Sequence, residues 1–220
     1  MKKILSLAIA LSVFVGASFA ALPSFETAVF PWLSSNGLTK YTVSSDFRPN
    51  DKITRGEAAK FVAQYGALKG LEKTYTECGF SDLAGYDATL LPFIQEACAY
   101  GLMKGSSGKF NPNDTITEAQ AITVVIRSLE GFKNETGSSW YAEYYNRGKA
   151  LSMIQSETMA SVETTTITRA KLGTWFYVAS EGGATAATPT VDTTTTEDTS
   201  ASDQEIMDVI KEIFGEDITL

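Results

Sequence analysis

A nine-residue phrase occurs three times in this chain: ITRGEAAKF from Ile53, ITEAQAITV from Ile116 and ITRAKLGTW from Ile167. The first two Ile-Thr starts lie 63 residues apart and the third follows after 51. FRPND at 47–51 precedes the first copy as FNPND at 110–114 precedes the second, again 63 residues apart. Self-similarity at this spacing means one supersecondary unit copied, and such units bury their apolar faces against one another. The chain is therefore expected to be a repeat protein with three copies.

Each Ile-Thr pair reads as a helix start. Thr54 with Glu57, and Thr117 with Gln120, form capping boxes, in which the Thr oxygen takes an orphan amide and the acid or amide side chain reaches back. The third copy has Lys171 at that position, so a weaker cap is expected. Past the cap, apolar residues fall at helical spacing on one face: Ala58, Phe61, Val62 and Tyr65, then Ala121, Val124 and Val125, then Leu172, Trp175 and Phe176. An earlier helix precedes each of these. In the second copy it is expected over 89–100, with Pro92 in its first turn and Gly101 as a left-handed stop. Each copy thus reads helix, stop, loop, helix, over 21–75, 76–131 and 132–181.

The ends differ. Lys2 and Lys3, an apolar run over 4–17 and the close Ser18-Phe19-Ala20 predict a secretory leader over 1–20. The run falls short of the ~20 residues a bilayer needs, and no membrane span is expected in the mature chain. Residues 182–202 are rich in Gly, Ala, Thr and Ser, a composition that cannot offset its ordering entropy, and read as a disordered linker. A short amphipathic helix is expected over 203–220, capped by Ser202 with Glu205 and carrying the stripe Ile206, Val209, Ile210 and Ile213. It either docks on its own domain or binds a protein partner through 203–215.

The formal charge is −8, and −10 once Lys2 and Lys3 leave with the leader, which argues against nucleic acid and anionic membranes as partners. The two cysteines, Cys78 and Cys98, lie 20 residues apart outside any C-x-x-C pattern. In an exported protein a structural disulfide is the preferred reading, ahead of two buried thiols or a redox pair. The chain has no histidine, which excludes Ser-His-Asp and Cys-His sites and any His-ligated metal. No acidic pair stands out as a glycosidase dyad, and there is no phosphate loop or EF-hand pattern. We expect no enzyme, no cofactor and no metal.

Taken together, Phe80-Ser81-Asp82, Gly101-Leu102-Met103-Lys104-Gly105, Phe110-Asn111-Pro112 and Ile116-Thr117 resemble the S-layer homology (SLH) repeat. The resemblance covers roughly 25–180. It implies an all-α module of three helix-loop-helix repeats around a pseudo-threefold axis, with grooves between neighbours. It also implies a place on a prokaryotic cell surface, held by cell-wall polysaccharide that is often pyruvylated. The family's groove residues carry over to Arg55, Arg169, Trp140, Gly101 and Gly105. A guanidinium forks onto a carboxylate, an indole packs on a sugar ring and glycine admits close approach. The plainer alternatives are solvated charges beside a cap for the arginines and core packing for Trp140. Glu118 replaces the second arginine and is expected to repel an acidic polymer. Thr89 stands where an aromatic is expected, and Ser161-Val162-Glu163 replaces the third F-x-P loop, so at most two grooves are expected to work. With no passenger domain after the repeats, a surface-layer adaptor acting through the last helix is the competing expectation.

Overall fold

The fold is seen in a computed structural model whose described residues are 21–74 and 78–181. The expected leader (1–20), linker (182–202) and terminal helix (203–220) lie outside them. Among the described residues there are eight α-helices and no strand. The first copy holds a π turn at Phe25–Val29 that runs into α1 (Phe30–Ser35), then α2 (Ser44–Phe47) and α3 (Arg55–Leu68). The second holds α4 (Leu91–Ala99) and α5 (Glu118–Glu130). The third holds α6 (Ala142–Ala150), α7 (Met159–Thr164) and α8 (Arg169–Ser180).

The caps form as the sequence dictates. Thr54 Oγ1 accepts from the Glu57 amide at 3.3 Å, and the Glu57 carboxylate accepts from the Thr54 amide at 3.1 Å. Thr117 and Gln120 repeat this at 3.3 and 3.2 Å. Thr168 accepts from the Lys171 amide with nothing returned, because an ammonium has no acceptor. The apolar face beyond each cap is buried throughout, from Tyr65 at 0% exposed to Phe61 at 6%.

The stops also recur. Leu38 donates to Leu33, Leu102 to Ala97 and Met153 to Gly148, at 2.9–3.0 Å, each bond reaching back over the last turn of the first helix. This Schellman-type closure needs a left-handed residue just before the donor. Gly37 (φ 69°) and Gly101 (φ 73°) supply it in two copies. In the third, Ser152 takes φ 58° at a steric cost that glycine avoids. α4 is shorter than 89–100, because Asp87 caps a turn with its carboxylate on the Thr89 amide and hydroxyl and delays the helix to Leu91. The third copy fills the place of the lost F-x-P loop with α7, whose cap is Thr158 with Ser161 and whose Val162 is fully buried.

What joins the copies is a closed circuit of backbone hydrogen bonds. Ile53 donates to Ile167, Ile116 to Ile53 and Ile167 to Ile116, at 3.1–3.3 Å, and all three side chains are buried. Buried amides have to be paired, and here the partner of each copy is its neighbour. The next amides follow suit. Arg55, Glu118 and Arg169, the first residues of α3, α5 and α8, donate to the carbonyls of Asp114, Thr165 and Asp51 at 2.8–3.0 Å. The orphan donors of three helix starts are thereby satisfied from the adjacent copy. The helix pairs are shared in the same way: α3 packs on α4, α5 on α6, and α8 on the Phe25–Val29 turn and α1. Glycine permits the closest of these contacts. A Cβ on Gly148 of α6 would lie 2.7 Å from Ile122, and one on Gly173 of α8 would lie 2.9 Å from Leu33.

Cys78 and Cys98 are bonded, with 6.2 Å between their α-carbons, and tie the chain before the second copy's loop to α4.

Candidate functional site

This arrangement sets the first residue of one long helix beside the loop and long helix of the next copy. Arg55 opens the larger groove, about 430 Å³, together with Lys104, Gly105, Gln120, Arg127 and Trp140. Arg169 opens a smaller one, about 230 Å³, with Lys40, Glu57, Lys60, Phe61 and Thr89. The two correspond under the repeat spacing: Arg55 with Arg169, Lys104 with Lys40, Gln120 with Glu57 and Trp140 with Thr89. Three of the expected site residues, Arg55, Gly105 and Trp140, thus share one groove, while Arg169 serves the other.

Arg55 is half-buried and is not a free surface charge. Its Nε donates to the Phe110 carbonyl at 2.8 Å and its Nη2 to the Lys104 carbonyl at 3.1 Å, with the guanidinium 4.9 Å from the Phe110 ring centroid. Burial pushes the guanidinium below its ordinary value, while the Asp114 and Asp82 carboxylates pull it back up. Asp82 fixes the other side of the same loop by accepting from the Phe110 and Asn111 amides at 2.8 and 2.6 Å. The arginine therefore holds the loop that lines its groove and still presents charge to it.

Trp140 is part-buried against the core, edge-on to Tyr141 at 5.5 Å, and lines the larger groove from the third copy. Gly105 serves packing: a Cβ there would lie 2.4 Å from the Lys109 carbonyl oxygen and 2.6 Å from the Phe80 ring. Gly101 is buried at the end of α4 and acts as its left-handed stop, away from the groove lining.

Arg169 ion-pairs with Glu57 and its side chain is only 11% exposed. Glu118, at the same position in the second copy, behaves differently from the sequence expectation. It is 4% exposed and does not face solvent, because Lys171 reaches it at 2.7 Å and binds Glu157 at 2.5 Å as well. Its negative charge is neutralised inside the junction and does not act as a repulsive surface.

Sequence reasoning missed Arg127. The residue is 8% exposed; its Nη1 donates to the Leu102 carbonyl at 2.9 Å and its Nε and Nη2 to Glu135 at 2.9 and 2.6 Å. Glu135 also takes Lys104 at 3.1 Å and the Tyr144 hydroxyl. Burial opposes ionisation of Glu135, but Tyr144, Arg127 and Lys104 outweigh it and hold the carboxyl below the usual range. The available signal was a lone arginine on the otherwise apolar face of α5, a position held by Gln64 in the first copy.

Among the described residues no helix is long and apolar enough to cross a membrane. The sequence matches the S-layer homology domain over residues 32–59 and 79–122. It is 33% identical over 99 residues to the surface-layer 125 kDa protein of Lysinibacillus sphaericus, covering 43% of this chain and 8% of that protein. It is 29% identical over 112 residues to an endoglucanase of Bacillus sp. (strain KSM-635), covering 50% of this chain and 11% of the enzyme. The chain thus spans about a tenth of the length of these curated relatives. The matched segments contain the first two Ile-Thr helix starts and the loop that Arg55 grips, and over them the chain carries S-layer homology domain sequence.

Proposed function

We propose that this chain is an exported, non-catalytic cell-envelope protein that attaches to the cell surface by binding acidic cell-wall polysaccharide, with pyruvyl ketals as one source of the carboxylate. In this reading the three copies close around a pseudo-threefold axis, which the isoleucine circuit and the shared helix pairs support. The observation that carries it is the convergence of Arg55, the 104–106 loop and Trp140, from three different copies, on one groove of about 430 Å³. A guanidinium beside an indole face suits a sugar that bears a carboxylate: the fork takes the acid and the ring covers C–H surface. The surface-layer relative fits the same setting.

The test is co-sedimentation of the full chain with isolated sacculi, before and after acid extraction of the non-peptidoglycan polymer. Binding should require the polymer. Arg55→Lys keeps the charge but loses the fork, and a charged hydrogen bond is worth about 1.5–3 kcal/mol, so binding should weaken roughly 10- to 100-fold. Trp140→Ala should weaken it too. Sedimentation indifferent to acid extraction would overturn the reading and favour a protein partner, with residues 203–215 as the first place to look.

A further inference from the structure

One wall of the larger groove holds a carboxylate of the chain's own. Arg127 Nε and Nη2 donate to Glu135 Oε1 at 2.9 and 2.6 Å, the Tyr144 hydroxyl donates to the same oxygen, and the Lys104 ammonium lies 3.1 Å from Oε2. Arg127 and Lys104 both line the groove, together with Trp140. The donors sit on the body of the domain: Arg127 on α5 and Tyr144 on α6 are buried, and the Leu102 carbonyl holds Arg127 at 2.9 Å without help from Glu135. The acceptor sits on the connector between the second and third copies. Gly131 at φ 80° and Gly137 at φ 83° bracket that stretch, and Phe132, Asn134 and Thr136 between them are exposed. Its other ties include the Lys133 amide on the Tyr144 hydroxyl at 2.9 Å and the Lys133–Glu130 ion pair at 3.0 Å. The Phe132 ring centroid lies 4.5 Å from the Lys104 ammonium.

We propose that Arg127, Lys104 and Tyr144 form a second carboxylate site of this groove, that Glu135 is its resident occupant, and that the acidic wall polymer binds there by displacing Glu135. Displacement by the polymer rests on the polysaccharide reading above; the carboxylate site itself does not. The site is separate from Arg55, which commits Nε and Nη2 to loop carbonyls and has Asp114 and Asp82 as its neighbouring acids. A guanidinium and an ammonium converging on one point favour an anion over a neutral sugar hydroxyl. Tethering gives Glu135 a high effective concentration, so a single free carboxylate competes poorly with it. A polymer that also engages Arg55 gains the same advantage and lifts the connector away. Glu135 thus keeps the site closed to stray small acids and yields it to a chain held at two points.

The experiment empties the site and refills it. Glu135→Ala deletes the end of the side chain as a –CH2–COO− group, so acetate is the probe, added to the full chain with chloride at matched ionic strength as the control. Glu135→Ala should gain about 3–6 °C in Tm at ten times the acetate dissociation constant, while wild type and the Glu135→Ala, Arg127→Met double variant follow the chloride control. A Glu135→Ala protein indifferent to acetate, or a double variant that responds equally, would overturn the site. Polymer extracted from sacculi tests displacement: Glu135→Ala should bind it about 10- to 100-fold more tightly than wild type, and equal affinities would overturn that step. No binding of polymer by either protein would overturn the parent reading and displacement together, and acetate would still decide the site. If Glu135→Ala fails to fold even in acetate, hydrogen exchange on the wild type decides. Bound polymer should speed exchange of the Lys133 amide, and polymer that binds without doing so would overturn the proposal.

Discussion

Replacing Lys171 by Met tests how the second junction is held. Glu118 has a side chain only 5% exposed, its Oε2 has no hydrogen-bond partner, and Lys171 at 2.7 Å is the counter-ion to Oε1. Methionine approximates the apolar stem of the lysine and removes the charge, including the ammonium 5.4 Å from the Trp175 ring centroid. Glu118 is then a buried carboxylate with nothing opposite it, and breaking such a pair from one side costs about 3–5 kcal/mol. Glu157, a quarter exposed, loses the same partner, but water screens it and its share is small. For a domain of this size each kcal/mol moves the midpoint by about 2–4 °C, so Tm should fall by roughly 6–20 °C. Urea unfolding followed by circular dichroism gives the free energy directly. Adding Glu118→Gln to Lys171→Met removes the stranded charge and should recover most of the loss. A single variant that costs under about 1 kcal/mol, or a double variant no better than the single, would refute the view that the lysine is there to neutralise Glu118.

Two further outcomes follow from the same contacts. Glu130, Glu135 and Glu157 are each held below the usual carboxylate range: burial works against them, and their Lys, Arg and Tyr partners outweigh it. Depressed groups contribute fully above the unfolded value of about 4.3 and lose that contribution as pH falls through the folded one, so Tm should be flat from pH 7 to about 5 and drop below about 4. Gly105→Ala forces a methyl group against a carbonyl oxygen and the Phe80 ring. It should cost about 1–3 kcal/mol in chemical denaturation, and a neutral result would show that the loop yields freely.

The parts of this fold that sequence alone revealed are those written within one turn of helix. Thr54 with Glu57 and Thr117 with Gln120 carry both halves of a cap within four residues, and the apolar spacing beyond them leaves one choice of buried face. Gly101 announces a stop because few other residues take φ near 70° cheaply. Ser152 does the same job without the signal, and nothing local distinguishes it from a serine in any loop. α7 escaped notice because its cap returns a serine hydroxyl in place of an acid. The site was legible by position only. That Arg55 grips two carbonyls of another copy, that Arg169 is matched to a glutamate 112 residues away, and that Glu118 is buried with a lysine 53 residues on all depend on which copies become neighbours. No local pattern encodes that choice.

The isoleucine circuit has a consequence for the order in which the protein comes into being. An open stack of repeats can fold as it is made, each unit settling on its predecessor. The isoleucine circuit has no such partial solution. With the first two copies in place, the Ile53 amide and the Ile116 carbonyl still wait for a residue 114 and 51 positions further along the chain. A chain delivered amino end first therefore keeps two of its three hearts of backbone open until Ile167 arrives, and a product truncated before that point is left with unmatched donors and bare apolar faces. Closing the isoleucine circuit thus depends on the third Ile-Thr start, the last of the three to be made.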